Sequence, residues 1–170
     1  MRAAAANADT DEIVVVGSQA LLGSVPQPAQ EVLVRSMEAD VFPLKFPERS
    51  ILIDGAIGEK SIFHESFGYY AHGVAPETAI LPDGWQGRLV PLRNENTRGC
   101  TGWCLDLHDL AVSKLAAGRE KDIEFLNGMR LEGLLDAATL RERIKATSFA
   151  TPEQAEAASA RCEKLIPSPS

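Results

Sequence analysis

Apolar residues cluster differently in the two halves of the chain, and this change of pattern predicts its fold class. Residues 13–16 (IVVV) form a continuous β-branched run, which is typical of a strand buried on both faces. Further strands are predicted in residues 31–42, 68–74 and 77–93, the last with a hairpin turn at residues 82–84 (PDG). Later in the chain the apolar residues recur at helical spacing. Strands followed by helices predict an α+β fold with a helical C-terminal half.

Polar residues and glycines mark the predicted helix ends in the first half. Residues 18–24 (SQALLGS) are predicted to be helical, with Ser18 as the N-cap. Residues 48–67 are predicted to form two helices, because Gly58 breaks the pattern and Ser61 restarts it. The alanine-rich residues before position 11 fit either the end of a helix or a disordered segment.

The second half carries similar boundary signals. Gly118 interrupts a long helical stretch, and Asp136 is placed to cap the next helix. Residues 151–154 (TPEQ) have a capping-box pattern with proline at the first helical position, so the last helix should begin there. Residues 167–170 (PSPS) are a predicted tail.

Length and composition set limits on the class of protein. With 170 residues and 45% hydrophobic content, we expect one domain over residues 1–170, with a core at about 11–100 and a helical part at about 105–165. The 24 acidic and 17 basic residues give a net charge of −7, which disfavours nonspecific coating of nucleic acid but not a local nucleotide pocket. No secretory signal or apolar run of about 20 residues is present, so a cytoplasmic location is expected.

The three cysteines do not predict a disulfide framework or a zinc site. Cys100, Cys104 and His108 are spaced four apart, but zinc usually needs four ligands and no fourth is evident. We interpret Cys100, Cys104 and Cys162 as small buried side chains, and His108 as a structural residue at a helix start.

Two acidic residues interrupt the second predicted strand on one face. Glu38 and Asp40 lie two positions apart, so in a strand their side chains point the same way with Cα atoms roughly 6–7 Å apart. Such a pair is often no more than a solvated edge. It is also the arrangement that two carboxylates need to share Mg²⁺ with substrate phosphates.

The turn after the first strand offers a second feature of this kind. Gly17 and Ser18 end the β-branched run and precede a predicted helix. Free backbone N–H groups and the positive end of a helix dipole suit a phosphate, and glycine permits its close approach. Many strand–glycine–helix turns serve geometry alone, so this feature needs the acidic pair beside it to indicate a site.

Together these two segments resemble a known family. "VVVGSQALL" followed by "SMEADVFP" looks like the signature of the polymerase-beta-like nucleotidyltransferase superfamily. The later segment "LHDLAVSKLAAGREKDIEFL" resembles the minimal bacterial nucleotidyltransferases of the AbiEii type, which act as toxins of toxin–antitoxin systems. The resemblance spans about residues 13–130.

This resemblance implies roles for particular residues. Gly17 and Ser18 would hold the phosphates of an NTP, and Glu38 and Asp40 would hold Mg²⁺. Further roles fall in the helical segment, where Lys114 would contact the triphosphate with help from Arg119, and Asp122 would orient a base or attacking group. The acceptor would be a tRNA 3′ end or another RNA, and a cognate antitoxin protein would be a partner.

The helical segment also has a simpler interpretation. Lys114 and Asp122 are eight positions apart and would share a face of an unbroken helix, but a break at Gly118 would remove that reason for their proximity. Arg119 and Asp122 could then form an ordinary surface ion pair.

Two departures from the superfamily pattern keep a second function open. Glu38 stands where the superfamily usually has aspartate, and no third carboxylate is assignable, although Asp54, Glu65 and Asp83 are candidates. The alternative is therefore a catalytically inactive protein of this fold that binds nucleotides or another protein.

Overall fold

The β-branched run becomes the central strand of a five-stranded mixed sheet in the computed structural model, which describes residues 1–167. The sheet order is β3-β2-β1-β5-β4, and the strands are β1 (Glu12–Val15), β2 (Glu38–Pro43), β3 (Tyr70–Gly73), β4 (Val90–Leu92) and β5 (Thr101–Cys104). β1 is antiparallel to β2 and parallel to β5, while β3 is parallel to β2 and β4 is antiparallel to β5. The three apolar residues of β1 are buried, which confirms the predicted strand covered on both faces.

Helices cover the sheet and build the C-terminal half. They are α1 (Arg2–Asn7), α2 (Ser50–Ile57), α3 (Ile62–Phe67), α4 (Leu107–Ala117), α5 (Glu120–Leu131), α6 (Ala137–Lys145) and α7 (Pro152–Leu165). Short 3-10 helices lie at Ser18–Gly23, Glu31–Leu33, Pro47–Arg49, Pro76–Thr78, Trp85–Arg88 and Glu95–Thr97. α2 packs against β3, and α4 packs against α5, α6 and α7. This arrangement confirms the α+β class with a helical C-terminal half.

Several predicted helix ends are present with their expected contacts. The Ser61 and Asp136 side chains accept hydrogen bonds from backbone N–H groups in the first turns of the helices that they cap. Gly118 ends α4 with a φ of 62°. Thr151 caps α7 as predicted, but the capping box is incomplete because Gln154 Oε1 accepts the Ala150 N–H instead. The predicted tail lies outside the described residues from position 168 onward.

The predicted strand over residues 31–42 is wrong in its first half. Only Glu38–Pro43 is a strand, while Glu31–Leu33 forms a 3-10 turn with Leu33 buried. The apolar residues of this turn pack against α5 so closely that a Cβ on Gly128 would overlap Val32. Their burial against a helix produced an apolar run that the sequence pattern alone cannot distinguish from a strand.

The predicted hairpin at residues 82–84 is also wrong. A turn is present there, but Pro82 forms an isolated antiparallel bridge with Thr147, and the antiparallel pair in this region joins β4 to β5. The chain reverses through Glu95–Thr97, where Asn94 completes a capping box and the next residues, Arg98 and Gly99, have positive φ. Strand β5 itself was not predicted.

Asp109 is a buried anchor between α4 and its neighbours. Its carboxylate is fully buried, accepts hydrogen bonds from Arg88 Nε and Nη2 at 2.9 and 3.1 Å, and lies 3.4 Å from Arg143 Nε. These contacts tie the Trp85–Arg88 turn and α6 to α4.

We expect Asp109→Ala to lower the free energy of unfolding by about 3 kcal/mol, because it leaves two arginines near a buried position without their counter-charge. Urea denaturation measures this loss. Asp83→Ala, in an exposed residue of the same region, is the matched control and should change stability by less than about 0.5 kcal/mol. Equal losses in the two variants would contradict the assignment of Asp109 as the anchor.

Candidate functional site

A pocket of about 640 Å³ opens where β1 ends and β2 begins, beside α4 and α5. Because β1 and β2 are antiparallel, the end of one strand lies next to the start of the other, and the Val16 N–H donates to the Asp40 carbonyl at 3.0 Å. The sequence-predicted site residues all line this pocket, namely Gly17, Ser18, Glu38, Asp40, Lys114, Arg119 and Asp122. Val74, Ile80 and Leu110 contribute an apolar part of its wall.

Asp40 packs directly against Gly17. A Cβ at this position would overlap the Asp40 carboxylate. The predicted capping role of Ser18 is wrong. The N-cap of the Ser18–Gly23 turn is Gly17, and no side chain caps this turn. Ser18 Oγ instead accepts a hydrogen bond from Lys114 Nζ at 2.9 Å. Its own hydrogen therefore remains available to donate to a ligand in the pocket.

The imidazole of His72, which the sequence interpretation did not include, lies beside Glu38 and Asp40. In the parallel β2–β3 pairing Asp40 lies opposite His72, whose Nδ1 is 3.2 Å from Glu38 Oε1 and 3.6 Å from Asp40 Oδ1. One ligand atom from each of the three residues lies within 4.8 Å of the others. Burial and the neighbouring Glu38 charge both raise the pKa of Asp40, an effect that a cation between them would offset.

The candidates for a third carboxylate have different positions. Asp54 on α2 approaches the group, with Oδ1 3.8 Å from His72 Nε2. Glu65 and Asp83 are not among the described residues that line the pocket. His72 thus occupies the place beside Asp40 on the neighbouring strand. Its position follows from the β2–β3 register, which the isolated "YAHG" segment does not reveal.

Lys114 and Asp122 meet across the helix break rather than along one helix. Gly118 ends α4, the chain turns, and α5 brings Asp122 Oδ1 to 3.1 Å from Lys114 Nζ. Asp122 is 1% exposed and also accepts hydrogen bonds from Arg119 Nε at 2.6 Å and Nη2 at 3.3 Å. The Lys114 ammonium lies over the Phe125 ring at 4.4 Å from its centroid. Lys114 is therefore held rigidly at the pocket wall.

The two charged groups of this pair perturb each other. Burial lowers the pKa of Lys114, and Asp122 opposes that effect. Burial alone would raise the pKa of Asp122, but the Arg119 hydrogen bond and the Lys114 charge bring it below its usual value.

A comparison with family models identifies the group of proteins. The sequence matches the model described as "Nucleotidyltransferase of unknown function (DUF6036)" over residues 1–163. The chain belongs to this nucleotidyltransferase family. The superfamily resemblance is thereby confirmed, while the AbiEii-type subgroup stays a prediction. No curated protein and no solved structure matches the chain. Across residues 1–167, no helix has the length and apolar character needed to cross a bilayer.

Three of the residues that line this pocket form a group that fits a divalent cation. Two carboxylates and an imidazole converge, and the Glu38–Asp40 repulsion is the electrostatic situation that a bound cation relieves. Lys121, which the sequence interpretation treated only as nearby positive charge, also lines the pocket. Within residues 1–167 it forms no salt bridge, and its charge opposes the rise in the pKa of Asp40.

The three cysteines and His108 have structural positions, as the sequence analysis predicted. Cys100, Cys104 and Cys162 are buried free thiols, and burial raises the pKa of Cys104 to about 11. His108 Nε2 accepts the Asp136 N–H at 2.9 Å, which links the start of α4 to the start of α6.

The stability contributed by Asp122 should depend on pH. Because its pKa is lower in the folded protein than the usual 3.8, its contribution is fully present above about pH 4 and is lost as the pH falls through the folded value. At pH 7 we expect Asp122→Asn to lower the free energy of unfolding by about 3 kcal/mol, since it leaves Lys114 buried without its partner. Urea denaturation at a series of pH values should show that the difference in free energy of unfolding between Asp122→Asn and wild type becomes smaller below pH 4. A constant difference would contradict this role.

Proposed function

We propose that the protein transfers a nucleotidyl group from an NTP to an acceptor hydroxyl. The observation that supports this most is the convergence of the Gly17–Ser18 turn, the Glu38–Asp40 pair and Lys114 on one pocket. In the proposed reaction the acceptor oxygen forms a bond to the α-phosphorus as the bond to the bridging oxygen breaks. Pyrophosphate leaves, and the proton of the acceptor hydroxyl passes to solvent water.

The acidic pair would hold the cation that this reaction needs. Glu38 and Asp40 are the residues proposed to bind Mg²⁺, because they present carboxylates to the same side of β2. When bound, a divalent cation neutralises charge on the transferred phosphoryl group. Gly17 contributes by leaving room for the Asp40 carboxylate.

The opposite wall would bind the phosphates. Ser18 can donate its hydroxyl hydrogen because Lys114 already donates to its oxygen. Lys114 would supply positive charge next to the developing negative charge, and Lys121 and Arg119 would add charge at the rim. Asp122 is proposed to position Lys114 rather than to contact substrate, since it is buried between Lys114 and Arg119.

The finer identity of the reaction rests on the sequence resemblance. We propose an RNA acceptor, such as a tRNA 3′ end, and a toxin–antitoxin setting in the cytoplasm with a cognate antitoxin as partner. An exposed basic rim made by Arg35, Arg119 and Lys121 would favour a phosphate-bearing acceptor, although Arg35 is paired with Glu124 at 2.6 Å.

The test is a label-transfer reaction with total RNA and each of the four NTPs in the presence of Mg²⁺ or Mn²⁺. Label at the α-phosphate should enter RNA, while label at the γ-phosphate should appear only in pyrophosphate. Entry of γ-label into the acceptor would indicate phosphoryl transfer instead and would contradict the proposal.

The inactive-protein alternative has one supporting observation. The residue opposite Asp40 on β3 is His72, not a third carboxylate. That alternative predicts metal-dependent NTP binding by calorimetry without incorporation of α-label into RNA or protein. The absence of both binding and transfer would contradict nucleotidyl transfer and the nucleotide-binding form of the alternative, and would leave its protein-binding form.

A further inference from the structure

His72 lies where its imidazole can bind a metal ion together with Glu38 and Asp40. Parallel pairing of β2 and β3 sets it opposite Asp40, and its Nδ1 faces both Glu38 Oε1 and Asp40 Oδ1. We propose that His72 is the third protein ligand of the divalent cation, and that its nitrogen donor shifts the preference of the site from Mg²⁺ toward Mn²⁺. This inference rests on the metal site of the proposed function.

The chemistry of the donor set supports this shift. Mg²⁺ is a hard cation that selects oxygen ligands and usually keeps several waters. Carboxylates suit both Mg²⁺ and Mn²⁺, whereas imidazole nitrogen suits softer transition-metal ions, to which Mn²⁺ is closer in character than Mg²⁺ is. A group of two carboxylates and one imidazole therefore binds Mn²⁺ through all three residues, while Mg²⁺ gains little from the nitrogen.

Asp54 lies near the position where a metal-binding histidine commonly has a second, outer carboxylate. A ligating histidine usually directs its other ring nitrogen toward a carboxylate, which fixes the ring and raises its basicity. His72 Nδ1 is 3.2 Å from Glu38 Oε1, while Asp54 Oδ1 lies 3.8 Å from Nε2, close enough for a charge interaction but too far for a hydrogen bond. Asp54 is thus a positioning residue in this proposal.

Tight packing holds these two residues together. Gly73, next to His72 on β3, lies so close to α2 that a Cβ there would overlap the Ser50 carbonyl. α2 also carries Asp54, so the close approach of the helix to the strand places Asp54 beside His72. The His72 side chain itself is 48% exposed, so replacing it should leave the fold intact.

The competing role for His72 is a simple counter-charge for the two acids. A protonated histidine that only neutralised Glu38 and Asp40 would compete with a cation. Removing it would then strengthen the binding of both metals equally. A ligand role predicts the opposite: Mn²⁺ binding weakens and Mg²⁺ binding changes little.

The test measures metal binding in the absence of nucleotide. Calorimetry gives the affinities, and electron paramagnetic resonance of added Mn²⁺ reports on its ligands. For His72→Asn we expect Mn²⁺ affinity to fall about tenfold, with Mg²⁺ affinity within about threefold of wild type. His72→Asp, which makes an all-carboxylate group, should raise Mg²⁺ affinity relative to Mn²⁺. Asp54→Asn should weaken Mn²⁺ binding by about tenfold through the orientation of His72.

A spectroscopic signature separates ligation from proximity. A directly bound imidazole nitrogen should give ¹⁴N modulation in the pulsed resonance signal of Mn²⁺, and His72→Asn should remove it. His64→Asn is the matched control, since His64 lies outside the group and should leave both the signal and the affinities unchanged. An unchanged Mn²⁺-to-Mg²⁺ ratio in His72→Asn, or absence of ¹⁴N modulation in wild type, would overturn the proposal.

These outcomes are independent of the proposed reaction. Nitrogen-coupled Mn²⁺ without label transfer would refute nucleotidyl transfer and leave the His72 ligand in place. Label transfer without nitrogen coupling would support the reaction and refute the ligand.

Discussion

Replacing Asp40 with asparagine should reduce nucleotidyl transfer by about a thousandfold or more, equivalent to about 4 kcal/mol of transition-state stabilisation. The side chain keeps its size, so it still fits against Gly17, but it loses the charge that would hold the cation. The measurement is the rate of α-label incorporation at saturating NTP, together with calorimetric binding of Mn²⁺.

The stability of the same variant provides a further check. Glu38 and burial both disfavour the charged form of Asp40, so a neutral amide should leave the melting temperature unchanged or higher. Loss of activity with retained stability is the pattern of a residue kept for function. Asp11→Asn, at the opposite end of β1, is the charge-matched control and should retain activity. Activity in Asp40→Asn near the wild-type rate would refute the proposed metal role.

A related variant tests the glycine at the same point. Gly17→Ala should displace the Asp40 carboxylate, because the new Cβ would overlap it. We expect Mn²⁺ affinity to fall about tenfold or more with only a small change in the far-ultraviolet circular dichroism spectrum. Gly87→Ala is a suitable control, since a Cβ there meets no other atom within 4 Å. Normal metal binding in Gly17→Ala would show that the close approach has no role in the site.

The sequence predicted the fold class, and it named residues that the structure brings into one pocket, because local signals agreed with the tertiary structure. The run at residues 13–16 identified the central strand, and Ser61, Gly118 and Asp136 identified helix boundaries. These signals depend on local backbone chemistry, so a single sequence contains them. The family resemblance, rather than periodicity, brought Gly17, Asp40 and Lys114 into one hypothesis.

The remaining features depend on contacts between distant segments. His72 joined the site only through the β2–β3 register, and β5 was missed because "TGWC" is short and contains a glycine that packs against Met1. The apolar turn at Glu31–Leu33 resembled a strand because its burial comes from α5. In each case the missing information was which segment lies beside which, and no local pattern encodes it.

The second large effect should come from Lys114. Lys114→Met keeps the length of the side chain and removes the charge that faces the pocket, so we expect kcat/KM for the NTP to fall about a hundredfold. Asp122 retains its two hydrogen bonds from Arg119, which limits the cost to folding. Steady-state kinetics with varied NTP measures the change. Lys121→Met, which removes an exposed charge from the same pocket, is the matched control and should have a much smaller effect.

A double-mutant cycle separates the proposed role of Asp122 from direct contact with substrate. If Asp122 acts by positioning Lys114, Asp122→Asn alone should cost about tenfold in kcat/KM, because a displaced lysine aligns poorly with the phosphates. The Lys114→Met/Asp122→Asn variant should then be no slower than Lys114→Met, since the group that Asp122 positions is already absent. Additive losses would assign Asp122 an independent contact with substrate. They would also require its carboxylate to leave the buried position between Lys114 and Arg119 during the reaction.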